Sequence, residues 1–348
     1  MPLTVKNPVT AALLSDIHVL KAKKVIKLIG KDGEAIVIKK EDRSVTVDQI
    51  KGAKAVMKAV DPSFKLKLLS AEEADQIIEF ARSILQEYQT DEALRFGDKK
   101  ARIEDLEILI EIMEQWKDDI GQDRSPVLKL DYMDVKSLHA EYDKRMATVD
   151  KNKTGLRQFV SGLNRAGGFE MLGQVIVADF TMMNGDRFNP RGGAKFKLPK
   201  GDTSLKTIVN VGNIFMRMTD LGPKPTGLDF LDPYSELKSI DKSVAHIRRD
   251  SGEYWLEILA DKAGRNELAA NIVEDLEKIV NPKRGRFNFI DKLDSKAAKR
   301  IVAGFVEGAR LIAAELDRKY KSKPEKGNRW TPGVQERYDI LIAVTQVT

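Results

Sequence analysis

The order of β-rich and helical segments constrains the fold more than any other feature of the sequence. Residues 24–30 and 34–40 alternate as strands do, and the Asp-Gly pair between them is a strong signal for a tight hairpin turn. Another short strand is predicted at 126–133, whereas the chain from Ser239 onward is dominated by long amphipathic segments. This order predicts an α+β protein with a small β-containing N-lobe and a larger helical C-lobe.

The helical periodicity places the remaining elements. Ser70 and Glu73 have the spacing of a capping box at the start of one helix. The predicted helices cover 47–60, 70–88, 103–116, 154–166, 168–183, 253–280, 294–320 and 334–347. The Gly-, Pro- and Lys-rich segment 189–206 is predicted to be a loop, and 209–218 and 227–231 to bracket a short hairpin. We therefore divide the chain into an N-lobe (1–133), a C-lobe (134–320), and a charged linker with a terminal helix (321–348).

Composition excludes several classes of protein. The 348 residues are 42% apolar and 32% charged, which is typical of a folded globular chain long enough for two lobes. Cysteine is absent, so disulfides, thiol nucleophiles and cysteine-bound zinc are excluded, and three histidines make a multi-histidine metal site unexpected. No apolar run has membrane-spanning length and no secretory signal is evident. We expect a cytoplasmic protein that does not associate with membranes. The alternative is a bacterial effector that is translocated into the cytosol of a host cell.

Three short motifs carry the chemistry of the sequence. They are Asn184-Gly185-Asp186-Arg187-Phe188, Gly212-Asn213-Ile214-Phe215 and Gly227-Leu228-Asp229-Phe230. Phosphoryl transfer from a metal nucleotide needs one carboxylate for the proton of the attacking hydroxyl, and an amide and a second carboxylate for magnesium. Asp186, Asn213 and Asp229 supply these groups in that order. The alternative is that Asp, Asn and Gly are simply common in turns.

Neighbouring residues qualify these assignments. Arg187 can orient the Asp186 loop by pairing with a nearby carboxylate, while Asn-Gly before it can also end the preceding helix. Asn210 is the alternative to Asn213, which is preferred because it directly precedes an apolar run. Asp232, followed by proline, is the alternative to Asp229 and has the features of a turn residue.

A lysine on the second hairpin strand suits a nucleotide phosphate. Lys39 ends the run Ile-Val-Ile-Lys and can neutralise phosphates as a point charge, with Lys40 as the alternative. The turn at 30–33 could cover the phosphates with its backbone N–H groups. Candidate acid partners for this lysine on the following helices, among which the sequence does not choose, are Asp48, Glu72 and Glu73; capping is the simpler role for Glu73.

The net charge of +6 is small beside 59 basic and 53 acidic residues, so a mixed solvated surface is the favoured interpretation. The predicted loop nevertheless concentrates basic residues: Arg191, Lys195, Lys197, Lys200 and Lys206. It could dock an acidic partner, although a solvated basic loop is the simpler interpretation. Because Phe196 is its only aromatic residue, a nucleic-acid-binding role is disfavoured.

Taken together, these motifs resemble the atypical branch of the protein-kinase-like superfamily, which includes phosphoinositide 3-/4-kinases and the actin-fragmin kinase type. The resemblance spans about 24–235 and implies a bilobal protein-kinase-like fold that uses ATP and Mg²⁺. It implies Asp186 and Arg187 in the catalytic loop, Asn213 and Asp229 as metal ligands, and Lys39 on the phosphates. Backbone groups near Asp131 and Met133 would hold the adenine at the hinge between the lobes.

The sequence also departs from that family. It has no Gly-x-Gly-x-x-Gly loop, Leu231 replaces the glycine after Asp-Phe, and the interval between Asp186 and Asn213 is far longer than in ordinary protein kinases. The expected function is a kinase acting on a Ser or Thr hydroxyl of a protein substrate, with a role for an activating protein partner. The alternatives are a pseudokinase, a partner-binding module, or a kinase-fold enzyme that transfers a nucleotidyl group.

Overall fold

A computed structural model describes residues 1–20, 25–41, 43, 45–62, 64–90, 96–123, 125–131, 135–137, 154–185, 187–190, 194–197, 204–210, 214–219, 222–226, 240–280, 292–322 and 329–346. The chain forms two compact units. The first comprises Met1–Ile50 and Lys65–Met133, and the second comprises Lys51–Phe64 and Asp134–Thr348.

The first unit contains a five-stranded antiparallel sheet with the strand order β1-β2-β3-β5-β4. Its strands are β1 (Leu14–Leu20), β2 (Val25–Gly30), β3 (Ala35–Lys40), β4 (Leu66–Leu68) and β5 (Val127–Asp131). The predicted hairpin is confirmed as β2 and β3, which pair from Ile29 opposite Ala35 to Val25 opposite Lys39. The sequence did not predict β1, where Asp16 and His18 break the apolar run, or the very short β4.

Helices α2 (Ala71–Thr90) and α3 (Phe96–Asp119) belong to the same unit. Apolar side chains of both helices share one buried core cluster with the sheet, including Ile77, Leu109, Ile26 and Ile38. The capping box is confirmed, because the Glu73 amide donates to Ser70 Oγ (3.2 Å) and the Ser70 amide to Glu73 Oε2 (3.0 Å). Helix α1 (Val47–Val60) has the predicted bounds, whereas α3 extends beyond the predicted 103–116 at both ends.

The second unit is mostly helical. Besides most of α1, which this unit includes from Lys51 onward, its helices are α4 (Thr154–Asn164), α5 (Gly168–Met182), α6 (Val244–Ser251), α7 (Leu256–Ala260), α8 (Lys262–Val280), α9 (Ala297–Leu316) and α10 (Pro332–Gln346). Helix α5 is buried on nearly all sides and packs closely on α9, since a Cβ on Gly304 would lie 2.1 Å from the Glu170 carbonyl oxygen. The helix predicted at 253–280 is interrupted at Asp261, whose side chain accepts a hydrogen bond from the Gly264 amide and caps α8.

Short strands complete the second unit. A three-stranded sheet has the order β10-β9-β6 and consists of β6 (Val135–Ser137), β9 (Phe215–Thr219) and β10 (Gly222–Thr226). Strands β7 (Ala194–Lys197) and β8 (Ser204–Thr207) form a separate hairpin. The prediction of a loop over 189–206 is therefore wrong for these strands. The partner of β9 is also Gly222–Thr226 rather than 227–231, because β10 lies at a sheet edge, where its prolines are tolerated.

The α+β class predicted from the sequence is confirmed. None of the helices in the described ranges is both long and apolar enough to cross a membrane.

Candidate functional site

Lys39 lies near the end of β3 with a side chain that is 24% exposed. Its ammonium nitrogen is 3.4 Å from Oε1 of Glu41, whose side chain is 1% exposed. Because residues 39 and 41 differ by two along an extended backbone, both project toward the same side. Lys39 thus has a buried carboxylate to orient it and keeps some surface with which to contact a ligand.

Lys40, the alternative to Lys39, projects to the other face of the sheet. That face carries Ile36 and Ile38, which belong to the core shared with α2 and α3. The Lys40 ammonium forms an ion pair with Asp119 at the end of α3. The side chains of the two consecutive lysines therefore lie on opposite faces of the sheet, and of the two only Lys39 is on the face away from this core.

Glu73, one of the candidate partners of Lys39, has another role. Its Oε1 accepts a hydrogen bond from the Val9 amide (2.9 Å) and forms an ion pair with Lys129 of β5. Burial raises the pKa of Glu73, but the hydrogen bonds from Lys129 and from the Ser70 and Val9 amides outweigh that effect and hold the pKa below 4.5. This carboxylate joins α2, β5 and the N-terminal segment.

The turn at 30–33 lies at the opposite end of the β2–β3 hairpin from Lys39. Lys39 is four residues further along the strand than Ala35, which corresponds to about 13 Å. The turn is bound to the N-terminal segment, since Asp32 Oδ2 accepts the Leu3 amide (3.0 Å). A cavity of about 480 Å³ at this end is lined by Met1, Pro2, Ala12, Leu13, Lys31 and Asp32. The expectation that this turn covers phosphates bound to Lys39 is therefore not supported.

The predicted hinge is described only in part. Asp131 is the last residue of β5 and is paired in register with Ile36. Met133 lies outside the described residues.

The Asp186 loop begins where α5 ends. Met183 has a left-handed backbone conformation (φ 57°, ψ 36°), and the Asn184 amide donates to the Asp179 carbonyl oxygen (2.8 Å). We expected Asn184 and Gly185 to end the helix, but the left-handed residue is Met183. Because such a conformation costs a non-glycine residue about 1 kcal/mol, the fully buried Met183 must be held by its surroundings.

Asp179 fixes both sides of the loop. Its carboxylate accepts two hydrogen bonds from the Arg187 guanidinium, from Nε (2.9 Å) and Nη2 (2.8 Å), and one from Asn184 Nδ2 (3.0 Å). All three residues are buried. Burial raises the pKa of the Asp179 carboxyl, while the Arg187 guanidinium and the Asn184 amide oppose that rise. One carboxylate thus ties the residue before Gly185-Asp186 to the residue after it, and we call this arrangement the Asp179 clamp.

The expected pairing of Arg187 with a nearby carboxylate is confirmed, and its partner is Asp179. The Arg187 side chain is 1% exposed and is held by Asp179, so the protein encloses the guanidinium. An arginine in this setting orients the loop and is a positioning residue. Asp186 itself lies outside the described residues.

Gly185 is required by a close approach. A Cβ at this position would lie 2.9 Å from Cη2 of Trp255. The Trp255 ring packs edge-on against Phe180 of α5, with ring centroids 5.7 Å apart. A side chain at position 185 would therefore require the loop or the Trp255 ring to shift.

A second chain segment pairs with the loop. The Asn210 amide donates to the Arg187 carbonyl (2.8 Å), the Asn189 amide donates to the Ile208 carbonyl (2.9 Å), and the Ile208 amide donates to Asp275 of α8 (2.8 Å). This pairing brings the backbone of Asn210 next to Arg187 and closes the base of the chain segment that carries β7 and β8.

The last turn of α5 is held from two further sides. The Thr181 carbonyl accepts hydrogen bonds from the Tyr254 hydroxyl (2.8 Å) and from Arg337 Nε of α10 (3.2 Å). Arg337 is fully buried and also donates to the Ile240 carbonyl (3.0 Å). Burial raises the pKa of Tyr254 to about 12, so its hydroxyl remains a donor.

The expected metal ligands, Asn213 and Asp229, lie outside the described residues. Within the described ranges, no group of three or more histidine, aspartate or glutamate side chains could hold a metal ion.

Sequence reasoning missed Asp179, Trp255 and Glu41. Asp179 left a signal, because it is an acid within the apolar helix that ends before the loop. Glu41 also left one, because it lies two residues beyond Lys39 at the end of a predicted strand. Trp255 left none, because it matters through a contact with Gly185 that only the fold provides.

Comparisons with protein-family models, curated proteins and solved structures find no match to this chain.

Proposed function

We propose that this protein is an ATP- and Mg²⁺-dependent phosphotransferase with a two-lobed kinase-like fold, acting on a Ser or Thr hydroxyl of a protein substrate. The observation that carries the proposal is the Asp179 clamp, which fixes Asn184 and Arg187 on either side of Gly185-Asp186. A carboxylate that receives a proton during transfer must be held in place before the substrate arrives. A loop fixed at both ends to one buried acid meets that requirement.

The sheet of the first unit supports a nucleotide-binding role. Lys39 lies on the third strand, as the phosphate-binding lysine of protein kinases does. Val37 and Val25 share its face and are half-buried, so apolar surface suited to a base lies next to a cation suited to phosphate. Glu41 supplies the carboxylate neighbour that the sequence left unassigned. We propose that the backbone near Asp131 and Met133 contacts the adenine.

The strands of the second unit support the proposed metal ligands. Phe215 at the start of β9 pairs with Thr226 at the end of β10, so the chain enters and leaves this hairpin at one end. Asn213 precedes that end in sequence and Asp229 follows it. Amide and carboxylate oxygens are ligands that Mg²⁺ prefers, and the bound ion would neutralise charge on the phosphates.

In the proposed mechanism the protein positions groups and balances charge. Asp186 accepts the proton of the substrate hydroxyl, and Lys39 balances phosphate charge. Arg187 and Asp179 hold Asp186 in register with the substrate, and Gly185 lets the loop lie against Trp255. We place the protein in the cytosol, including that of a host cell if it is a translocated effector, and assign the β7–β8 hairpin to substrate or activator docking.

The test has two arms, nucleotide binding and phosphate transfer, and wild type is the reference in both. Thermal unfolding is measured with ATP, with and without Mg²⁺, for wild type, Asp229→Ala and Asp232→Ala. A ligand bound only by the folded chain raises the unfolding temperature, so we expect a Mg²⁺-dependent shift that Asp229→Ala loses and Asp232→Ala keeps. Transfer of labelled phosphate, to the protein itself or to proteins of a lysate, should be abolished by Asp186→Ala. Unchanged transfer by that variant would refute the assignment.

A pseudokinase or binding module is the second candidate. It is favoured by the position of the 30–33 turn, which is bound to the N-terminal segment and lies away from Lys39. This candidate predicts nucleotide binding without transfer, or partner binding that Asp229→Ala leaves intact. Nucleotidyl transfer is separated from both by label position, because only α-labelled ATP would then mark the product.

A further inference from the structure

The face of the five-stranded sheet that carries Lys39 also carries a second lysine, Lys27 of β2. Side chains alternate along β2, with Val25, Lys27 and Ile29 half-buried and Ile26 and Leu28 buried in the core. In the β2–β3 ladder Val25 lies opposite Lys39, and Lys27 lies opposite Val37. Cross-strand partners project to the same face. We call this surface, formed by residues 25, 27, 29, 35, 37 and 39, the lysine face.

Lys27 and Lys39 are diagonal neighbours on the lysine face. Diagonal positions of an antiparallel pair lie about 7–8 Å apart, within mutual reach of long side chains. Both side chains can therefore bring their ammonium groups to one ligand, and a half-buried setting screens charges less than open water does. Such an arrangement favours a ligand with several negative charges along a short chain.

The surroundings of the two lysines narrow the choice of anion. Glu41 lies 3.4 Å from the Lys39 ammonium, and His18, opposite Lys27 on β1, is 2.9 Å from Asp16. A single acid, Glu41, is thus already present beside Lys39, whereas Asp16 is paired with Arg102 of α3 as well as with His18. A ligand that competes with Glu41 must carry more charge than one carboxylate. The half-buried apolar residues between and beside the lysines suit a base joined to that anion.

We propose that Lys27 and Lys39 together bind the phosphate chain of a nucleoside triphosphate on the lysine face, with Lys27 as a second phosphate-binding lysine. The inference rests on the proposed function for the identity of the ligand. The two remain separable, because phosphate binding can be measured without transfer.

The test compares three lysine variants on binding alone. Lys27→Met and Lys39→Met retain most of the apolar stem and remove the charge. Lys40→Met is the matched control, since Lys40 lies on the same strand but projects toward α3 and pairs with Asp119. The unfolding temperature without ligand shows that each variant is folded. Affinity is then measured by calorimetry for ATP, inorganic tripolyphosphate and adenosine.

We expect Lys27→Met and Lys39→Met each to weaken ATP and tripolyphosphate binding about tenfold, the loss of one charge-assisted hydrogen bond. Adenosine binding should be unchanged in all variants, and Lys40→Met should match wild type. Wild-type affinity of Lys27→Met for ATP and tripolyphosphate would overturn the proposal and leave Lys39 alone on the phosphates. Displacement of tripolyphosphate by a single-stranded oligonucleotide more readily than by ATP would also overturn it.

The outcomes separate this inference from the proposed function. Normal triphosphate binding by Lys27→Met, together with transfer that depends on Asp186, would support the proposed kinase function and reject the phosphate-binding role of Lys27. Loss of binding in Lys27→Met, together with no transfer by wild type, leaves a nucleotide-binding face on a protein that is not a kinase.

Discussion

Among the described residues, a buried ion pair is found in each compact unit, and these two pairs are built differently. In the first unit Lys129 pairs with Glu73, which also accepts hydrogen bonds from the Val9 and Ser70 amides. In the second unit Asp179 pairs with Arg187, and its other side-chain donor is Asn184. The acids respond in opposite directions, since the pKa of Glu73 is lowered and the pKa of Asp179 is raised, chiefly by burial.

This difference shows which pair joins distant parts of the chain and which shapes one loop. Glu73 and Lys129 connect α2, β5 and the N-terminal segment, and backbone amides share the stabilisation of the carboxylate. The Asp179 clamp connects residues 184 and 187 and relies on a bidentate guanidinium, whose planar geometry fixes direction as well as charge. We therefore expect the first pair to tolerate change better and the second to control the geometry of the loop.

The largest effect should come from Asp179→Ala. This change leaves the Arg187 guanidinium buried without its carboxylate, which typically costs about 3–5 kcal/mol. We expect a loss of that size in the free energy of unfolding, measured by denaturant titration, and loss of hydrogen-exchange protection in peptides covering 179–189. The double variant Asp179→Ala/Arg187→Met should recover part of the loss, because it removes the stranded charge. Additive losses in the double variant would mean that the ion pair is not coupled as described.

Gly185→Ala should have the next largest effect. The added methyl group would lie 2.9 Å from Trp255 Cη2, and overpacking of this kind costs about 1–3 kcal/mol. Stability and phosphate transfer should both fall, and Trp255→Phe in the same chain should restore part of each by making room. No rescue by Trp255→Phe would mean that the glycine is needed for a reason other than this contact.

The two units also differ in which of their elements could be predicted from the sequence. Helix α5 was predictable because Phe169, Leu172 and Phe180 recur at helical spacing, and the β2–β3 hairpin because Asp-Gly separates two alternating runs. Strands β7 and β8 were not, since a Gly- and Lys-rich composition favours a loop and only their pairing with each other overrides it.

Of the candidate site, the sequence predicted the positions of the polar residues but not their partners. Lys129, between Leu128 and Leu130, has the pattern of an exposed strand residue, yet it is buried because it binds Glu73 and the Asn7 carbonyl. Glu41 follows a predicted strand, and its spacing of two from Lys39 made the contact possible without identifying Glu41 as the partner. Such contacts are set by chain segments far apart in sequence, or by local geometry that no pattern encodes.

Lys129→Met should have a smaller effect than Asp179→Ala. The Glu73 carboxylate keeps its hydrogen bonds from the Ser70 and Val9 amides, so we expect a loss of about 1–2 kcal/mol, at the lower end for a buried group that loses one partner. The measurement is hydrogen exchange resolved to peptides of the first unit. A loss as large as that of Asp179→Ala would remove the difference between the two ion pairs.

The pH dependence of stability should show the smallest effect and the clearest difference in sign. Because the pKa of Glu73 is lower in the folded chain than its ordinary 4.5, its contribution is present above that value and is lost as pH falls through the folded pKa. The raised pKa of Asp179 has the opposite effect on stability. Because the folded chain binds a proton at this carboxyl more readily than the unfolded chain does, the contribution of Asp179 to stability grows as pH falls. One proton changes stability by at most about 1.4 kcal/mol per pH unit.

Acidification below 4.5 should therefore destabilise the first unit through Glu73, and Glu73→Gln, although less stable at neutral pH, should show a shallower fall. The stability of each unit is measured by hydrogen exchange as pH is lowered. If the stability of Glu73→Gln falls as steeply as that of wild type, the acid sensitivity belongs to other carboxylates.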